Sequence, residues 1–231
     1  MKVYKNRKLK KTISYLNGKK KILFLTTSNR WVGDSEKPKS TFLAEEIARQ
    51  VGEEKVIILD ITRLNIVPCE GNVSTQKGNS CGLKDALLND LKKNPSGCHR
   101  CWASINNPED ELWKVSQPLL EADCVIFFGS IRWGQMNSFY QKLIERLTWL
   151  ENRHSTLGEE NILKNIDAGI IATGHNWNGK KVIQTQMQVL EFFGFKVVKS
   201  LCWNWQFTRP SDESSGSYAH AFESFRKTFL E

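Results

Sequence analysis

The chain has 231 residues, 40% of them hydrophobic and eight of them Trp, which is ample for one large domain with a sizeable core. No apolar run approaches the roughly 20 residues that span a bilayer, and the basic start MKVYKNRKLKK lacks the apolar centre of a secretory signal. A soluble, cytoplasmic chain is therefore expected. The formal net charge is +8, and the first 21 residues hold nine Lys or Arg and no acid. Such a basic arm, residues 1–19, can bind nucleic acid or an anionic membrane surface. A solvated tail is the preferred reading, and a nucleic-acid partner is not expected. A positive surface also favours phosphorylated small molecules such as nicotinamide and flavin nucleotides.

In chain order, KKILFLTTS (Lys20–Ser28) reads as a buried strand. A helix follows from about Thr41 to Val51, with Leu43, Ala44, Ile47 and Val51 on one face. KVIILDIT (Lys55–Thr62) is a second strand. A long insertion, from about Arg63 to Pro108, interrupts the alternation, with a short helix expected over Leu83–Leu91; loops of this length are usually functional or disordered. A helix over roughly Glu109–Glu121 leads into a third strand, Cys124–Phe128, that ends in Gly129-Ser130. Its helix starts at about Ser138 and is expected to bury Phe139, Leu143, Leu147 and Leu150. The fourth strand is Asp167–Gly174, and the next helix, about Lys180–Phe193, has Ile183, Met187, Leu190 and Phe193 as its stripe. The fifth strand is Lys196–Trp203, and a helix over about Ser217–Leu230 follows. Strands one, three and four are near-continuous apolar runs, as a parallel sheet covered on both faces requires. The predicted fold class is α/β, a three-layer doubly wound fold on a five-stranded parallel sheet, for which 2-1-3-4-5 is one of the two common orders.

Ligands of such a sheet sit outside the carboxyl ends of its strands. The first rim loop, Thr26–Glu46, offers Ser28, Asn29, Arg30, Ser40 and Thr41 as donors, and Arg30 or Lys39 can add a full charge. It is the natural phosphate site, although helix capping by Ser40 and Thr41 would use the same donors. It contains neither GxxxxGK[ST] nor GxGxxG, which argues against a nucleoside triphosphatase and against a standard dinucleotide fingerprint. The loop after strand three carries Arg132, Trp133, Gly134, Gln135 and Asn137, which suit a flat, polar-edged ring; an ordinary turn with a packed Trp is an equal reading. The third loop, Thr173–Gly179, combines flexibility, polar groups and Trp177, and its His175 alone reads more readily as a surface histidine than as a catalyst. Together the three loops describe a pocket for a phosphorylated aromatic ligand.

KILFLTTSNR followed by STFLAEEIA, LLEADCVIFFGSIRWGQMNSFYQKLIERL, and IIATGHNW followed by a helix and GFKVV resemble the flavodoxin-like family of NAD(P)H-dependent FMN reductases, over roughly Lys20 to Phe207. The resemblance implies a flavodoxin-like sheet, FMN as cofactor, NAD(P)H as electron donor and a small-molecule electron acceptor such as a quinone or a flavin. By it, Ser28, Arg30, Ser40 and Thr41 hold the phosphate. Ile131, Arg132, Trp133, Gly134, Gln135, Met136 and Asn137 line the ring, and Thr173, Gly174 and His175 close its other edge. It also implies a homo-oligomer whose partner subunit covers part of the ring. No side chain is expected as nucleophile or general base, because the cofactor carries the chemistry. Classical flavodoxins are acidic, so this basic chain favours an enzyme taking an anionic nicotinamide cofactor; an FMN-binding carrier or sensor without turnover stays open.

Cys69, Cys81, Cys98 and Cys101 fall in the insertion. CHRC is a lone CxxC with no second pair, so free thiols or a redox pair are preferred to a metal site on the four. Some members of the family that the chain resembles carry a compact cysteine cluster here that holds an iron–sulfur cluster. Cys124 and Cys202 read as small core residues.

Overall fold

The computed structural model describes residues 6–30, 36–174, 177–206 and 220–230. In chain order the elements are α1 (Arg7–Leu16), β1 (Ile22–Thr26), α2 (Lys39–Val51), β2 (Val56–Asp60), α3 (Trp102–Asn106), α4 (Trp113–Glu121), β3 (Cys124–Arg132), β4 (Gln135–Met136), α5 (Ser138–Ser155), β5 (Asp167–Gly174), α6 (Gly179–Phe192), β6 (Lys196–Gln206) and α7 (Ala221–Phe229). Five strands run parallel in the order β2-β1-β3-β5-β6, and β4 pairs antiparallel with the end of β3. Counting parallel strands alone, this is the 2-1-3-4-5 order. The sheet nevertheless has six strands, not five, because a two-residue strand is too short to show a period in the sequence.

Residues of β1 and β3 alternate between two cores, the period of two expected of strands. On one face Leu23, Leu25, Val125 and Phe127 pack with Leu119, Leu143, Leu147 and Leu190 of α4, α5 and α6. On the other, Ile22, Phe24, Ile126 and Phe128 pack with Leu9, Leu43, Ile47 and Phe225 of α1, α2 and α7. Each such side chain, fully buried, contributes roughly 1.5–3 kcal/mol, so the central strands set the rim on which the loops stand.

Several boundaries differ from expectation for local reasons. The segment expected as a solvated arm contains α1, whose Leu9, Thr12 and Leu16 are buried at i, i+3 and i+7 behind a screen of lysines. It lies along β6, the terminal strand: Thr12 Oγ1 donates to Ser200 O at 3.2 Å and Lys8 Nζ to Asn204 O at 3.1 Å. The helix expected over Leu83–Leu91 is a single 3₁₀ turn, Lys84–Ala86, because Leu87 and Leu88 pair instead with Arg100 and His99. In α5 Phe139, expected to be buried, is half-buried, and its neighbour Tyr140 is buried in its place.

The insertion is held to α5 by a buried polar network. The side chains of Arg146 and Asp110 are fully buried and paired at 2.7 and 2.9 Å. Arg146 also donates to Val67 O (2.6 Å), Ser104 Oγ (3.0 Å) and Cys101 Sγ (3.4 Å). Burial would raise the Asp110 carboxyl, but the bonds and charge of Arg146, with Ser104 and the Val67 N–H, hold it below its ordinary value. His99 sits between Ser116 Oγ and Ser104 Oγ, 2.9 Å from each.

Candidate functional site

β3 outruns β1. Thr26 pairs with Phe128, and Ser130 and Ile131 then continue beside Thr173 and Gly174 of β5. This step makes the recess. Its floor needs glycine: a Cβ on Gly129 would lie 2.4 Å from Met136 Cε and 2.9 Å from both Asn137 Oδ1 and Thr27 Oγ1. Asn137 precedes α5 without capping it. Its Oδ1 accepts from Ser130 N–H and Thr27 Oγ1, both at 3.1 Å, and its Nδ2 donates to Thr27 O at 2.6 Å. Asn137, Met136 and Ile131, expected along the ring, are buried at this rim.

The β3–β4 turn is tight. Arg132 pairs with Gln135, so Trp133 (φ 50) and Gly134 (φ 71) form a two-residue turn with both φ values positive, the signature of a type I′ hairpin. Arg132, Trp133 and Gln135 are exposed, and Trp133 is 92% so, which settles against a packed turn Trp. On the far side, Thr173 is buried and Gly174 half-buried. His175, assigned to the ring edge, lies outside the described residues.

At the first loop, α2 begins at Lys39 behind Pro38, and no side chain caps it. Ser40 and Thr41 thus stand inside the first turn, whose N–H groups have no intrahelical acceptor. Ser40 Oγ donates to Ser28 Oγ at 2.8 Å, and both residues are buried. Thr41 Oγ1 and Ser130 Oγ are buried with no hydrogen-bond partner among the described residues. Lys39 opens the helix; burial first, and the Arg30 charge second, pull its amine below its ordinary value. Arg30 itself pairs with Glu36. Thr27 is the residue here that sequence reasoning left out; the run Thr26-Thr27-Ser28 at a strand end was the available signal.

Sequence comparison finds no matching family model and no matching curated protein. Solved structures match in three dimensions. RosB, solved with bound 8-demethyl-8-formylriboflavin-5′-phosphate, superposes with a TM-score of 0.59 at 15% identity over 91% of this chain and 75% of its own. The azoreductase of Bacillus anthracis str. Sterne gives 0.51 at 13% identity, over 91% and 95%. The NAD(P)H:quinone oxidoreductase of Methanothermobacter marburgensis gives 0.50 at 13%, also over 91% and 95%. The fold is flavodoxin-like.

Beside the flavodoxin-like sheet, the four insertion cysteines are all free thiols. Cys101 accepts from Arg146, the Cys98 thiol donates to Ser96 O, and burial pushes the Cys81 thiol up to about 11. Among the described residues no group of three or more His, Cys, Asp or Glu is placed to hold a metal ion. The convergence of Cys69, Cys81, Cys98 and Cys101 on one metal or iron–sulfur cluster is therefore not found, because the insertion is folded around Arg146 and His99 instead. No helix among the described residues is long and apolar enough to cross a membrane.

Proposed function

We propose that this chain is an FMN-dependent oxidoreductase that takes electrons from NAD(P)H and passes them to a small acceptor such as a quinone or a flavin. One observation carries the reading: the uncapped first turn of α2, with Ser28, Ser40 and the unpartnered Thr41 hydroxyl gathered at it. An orphaned buried hydroxyl costs about 1–3 kcal/mol, and a phosphate would relieve it. A dianion would equally relieve the crowding of Lys39 by Arg30. The donor set therefore fits the 5′-phosphate of FMN.

On this reading Ser28, Arg30, Ser40 and Thr41 hold the phosphate. The β3–β4 turn, the Ser130 hydroxyl, Thr173, Gly174 and His175 lie along the ring, and Asn137 fixes the distance between phosphate loop and ring loop. A homo-oligomer whose partner subunit covers part of the ring belongs to the same reading. The chemistry that FMN supplies when bound is hydride uptake from the nicotinamide and two-electron delivery to the acceptor. The balance is NAD(P)H, one proton and a quinone giving NAD(P)⁺ and the hydroquinone. The protein's part is to bind and orient, and no side chain is asked to be nucleophile or base.

The test is the visible spectrum of the purified protein, with and without added FMN, before and after anaerobic NADPH. Flavin bands near roughly 375 and 450 nm that bleach with NADPH support the reductase. Bands that persist with both NADPH and NADH leave an FMN-binding carrier. No bands after reconstitution refute the cofactor.

A further inference from the structure

Trp133 and Asn178 are the non-glycine residues with left-handed backbone among the described residues, with φ of 50 and 64, and Asn178 reaches Gly134, the chain neighbour of Trp133. Asn178 Nδ2 donates to Gly134 O at 2.8 Å, which ties the tip of the β3–β4 turn to the start of α6. Trp177, the neighbour of Asn178, brings its Cζ3 to 3.3 Å from where a Gly134 Cβ would stand. Both indoles face solvent, Trp133 at 92% and Trp177 at 60% exposure.

The exposed indole of Trp133 brings the folded chain little burial of its own. A bulky residue at positive φ is strained, and an exposed indole forgoes the burial that normally recommends Trp. Strain of this kind persists where surroundings over-determine it, and it clusters at ligand clamps. Here the Asn178 amide does the over-determining. The pair also stands at the carboxyl end of the sheet, beside the recess floored by Gly129. Arg132 and Lys180, both exposed, flank it and favour an acceptor with an anionic substituent.

We propose that Trp133 and Trp177 form an aromatic clamp that selects planar, multi-ring, anionic electron acceptors over compact ones, and that Asn178 is the positioning residue that fixes its Trp133 arm. The proposal rests on the flavin reading for what happens to the acceptor, not for its binding. Stacking grows with the ring face covered, so a fused-ring acceptor gains where a compact complex such as ferricyanide does not.

The test uses the full chain and anthraquinone-2-sulfonate as probe. Its binding to the oxidised protein is measured by calorimetry, and kcat and KM are measured with it and with ferricyanide. Trp133→Ala and Trp177→Ala are each expected to weaken binding of the probe about tenfold, and to lower its kcat/KM relative to that of ferricyanide by the same factor, through KM. Asn178→Gly keeps the left-handed backbone and removes only the amide; it is expected to give a smaller shift of the same kind, about threefold. Unchanged binding of the probe to Trp133→Ala overturns the clamp, as does an unchanged ratio between the two acceptors. Dissociation of an oligomer by Trp133→Ala on gel filtration also overturns it and makes the pair a subunit contact. Trp133-dependent binding of the probe to a protein that takes no FMN would sink the cofactor reading and leave the clamp standing.

Discussion

Acidification from pH 7 to pH 4 is expected to loosen the insertion through one imidazole. His99 is 2% exposed and lies between two serine hydroxyls. Ser104 Oγ donates to Asp110 Oδ2 at 2.8 Å, so it accepts from His99 Nε2–H, which leaves Nδ1 to accept from Ser116. A neutral imidazole satisfies both ends. Burial, the largest cause, and then the Arg146 charge lower His99 from 6.5 to about 4 against the pull of Asp110. As the pH falls the unfolded chain takes up the proton first. The stabilisation present above pH 6.5 is therefore lost progressively down to about pH 4, and it amounts to roughly 3 kcal/mol. Urea unfolding at several pH values measures it. The His99→Gln protein is expected to be less stable at pH 7 and to have a flatter profile, so the two proteins converge in stability by pH 4. Parallel profiles for wild type and variant would refute the reasoning, and so would an imidazole titrating near 6.5 by NMR.

Arg146→Met strands the Asp110 carboxylate in the interior and is expected to cost about 3–5 kcal/mol, whereas Arg146→Met with Asp110→Leu recovers much of that loss; urea midpoints decide, and a double variant no better than the single one speaks against a charge-burial cause. Thr41→Val should have opposite effects on two measurements. Removing the orphaned hydroxyl is expected to stabilise the ligand-free protein by about 1 kcal/mol, while FMN affinity falls on the order of tenfold. A loss of both would show that Thr41 Oγ1 bonds within the protein.

The sheet was legible because Ile22–Leu25 and Cys124–Phe128 bury every residue, so their apolar runs admit no other reading. The phosphate loop was legible by composition, yet that Ser40 and Thr41 do not cap α2 depends on Pro38 taking the cap position. α1 was missed because its apolar stripe is one residue wide and its lysines dominate the composition. The insertion was illegible for a different reason. Its order comes from Arg146, on a helix far along the chain, meeting Asp110, Ser104 and Cys101. No local period records such a meeting. The Trp133 turn was recognised as a loop, but its hairpin geometry depends on a two-residue strand that only pairing reveals.

The placement of α1 on β6 bears on how the protein behaves in bulk. β6 is eleven residues long and ends the sheet, the position from which sheets recruit strands of other molecules. Thr12 and Lys8 occupy two of its carbonyls, and the lysines of α1 turn a charged wall to anything that approaches. A chain cut at Lys20 would keep every residue of the candidate site. It would also lose Leu9 and Leu16 from the core they fill and the partners Tyr15 and Lys19 of buried Asp167, so it is expected to be less stable as well as prone to precipitate through the opened β6 edge on concentration.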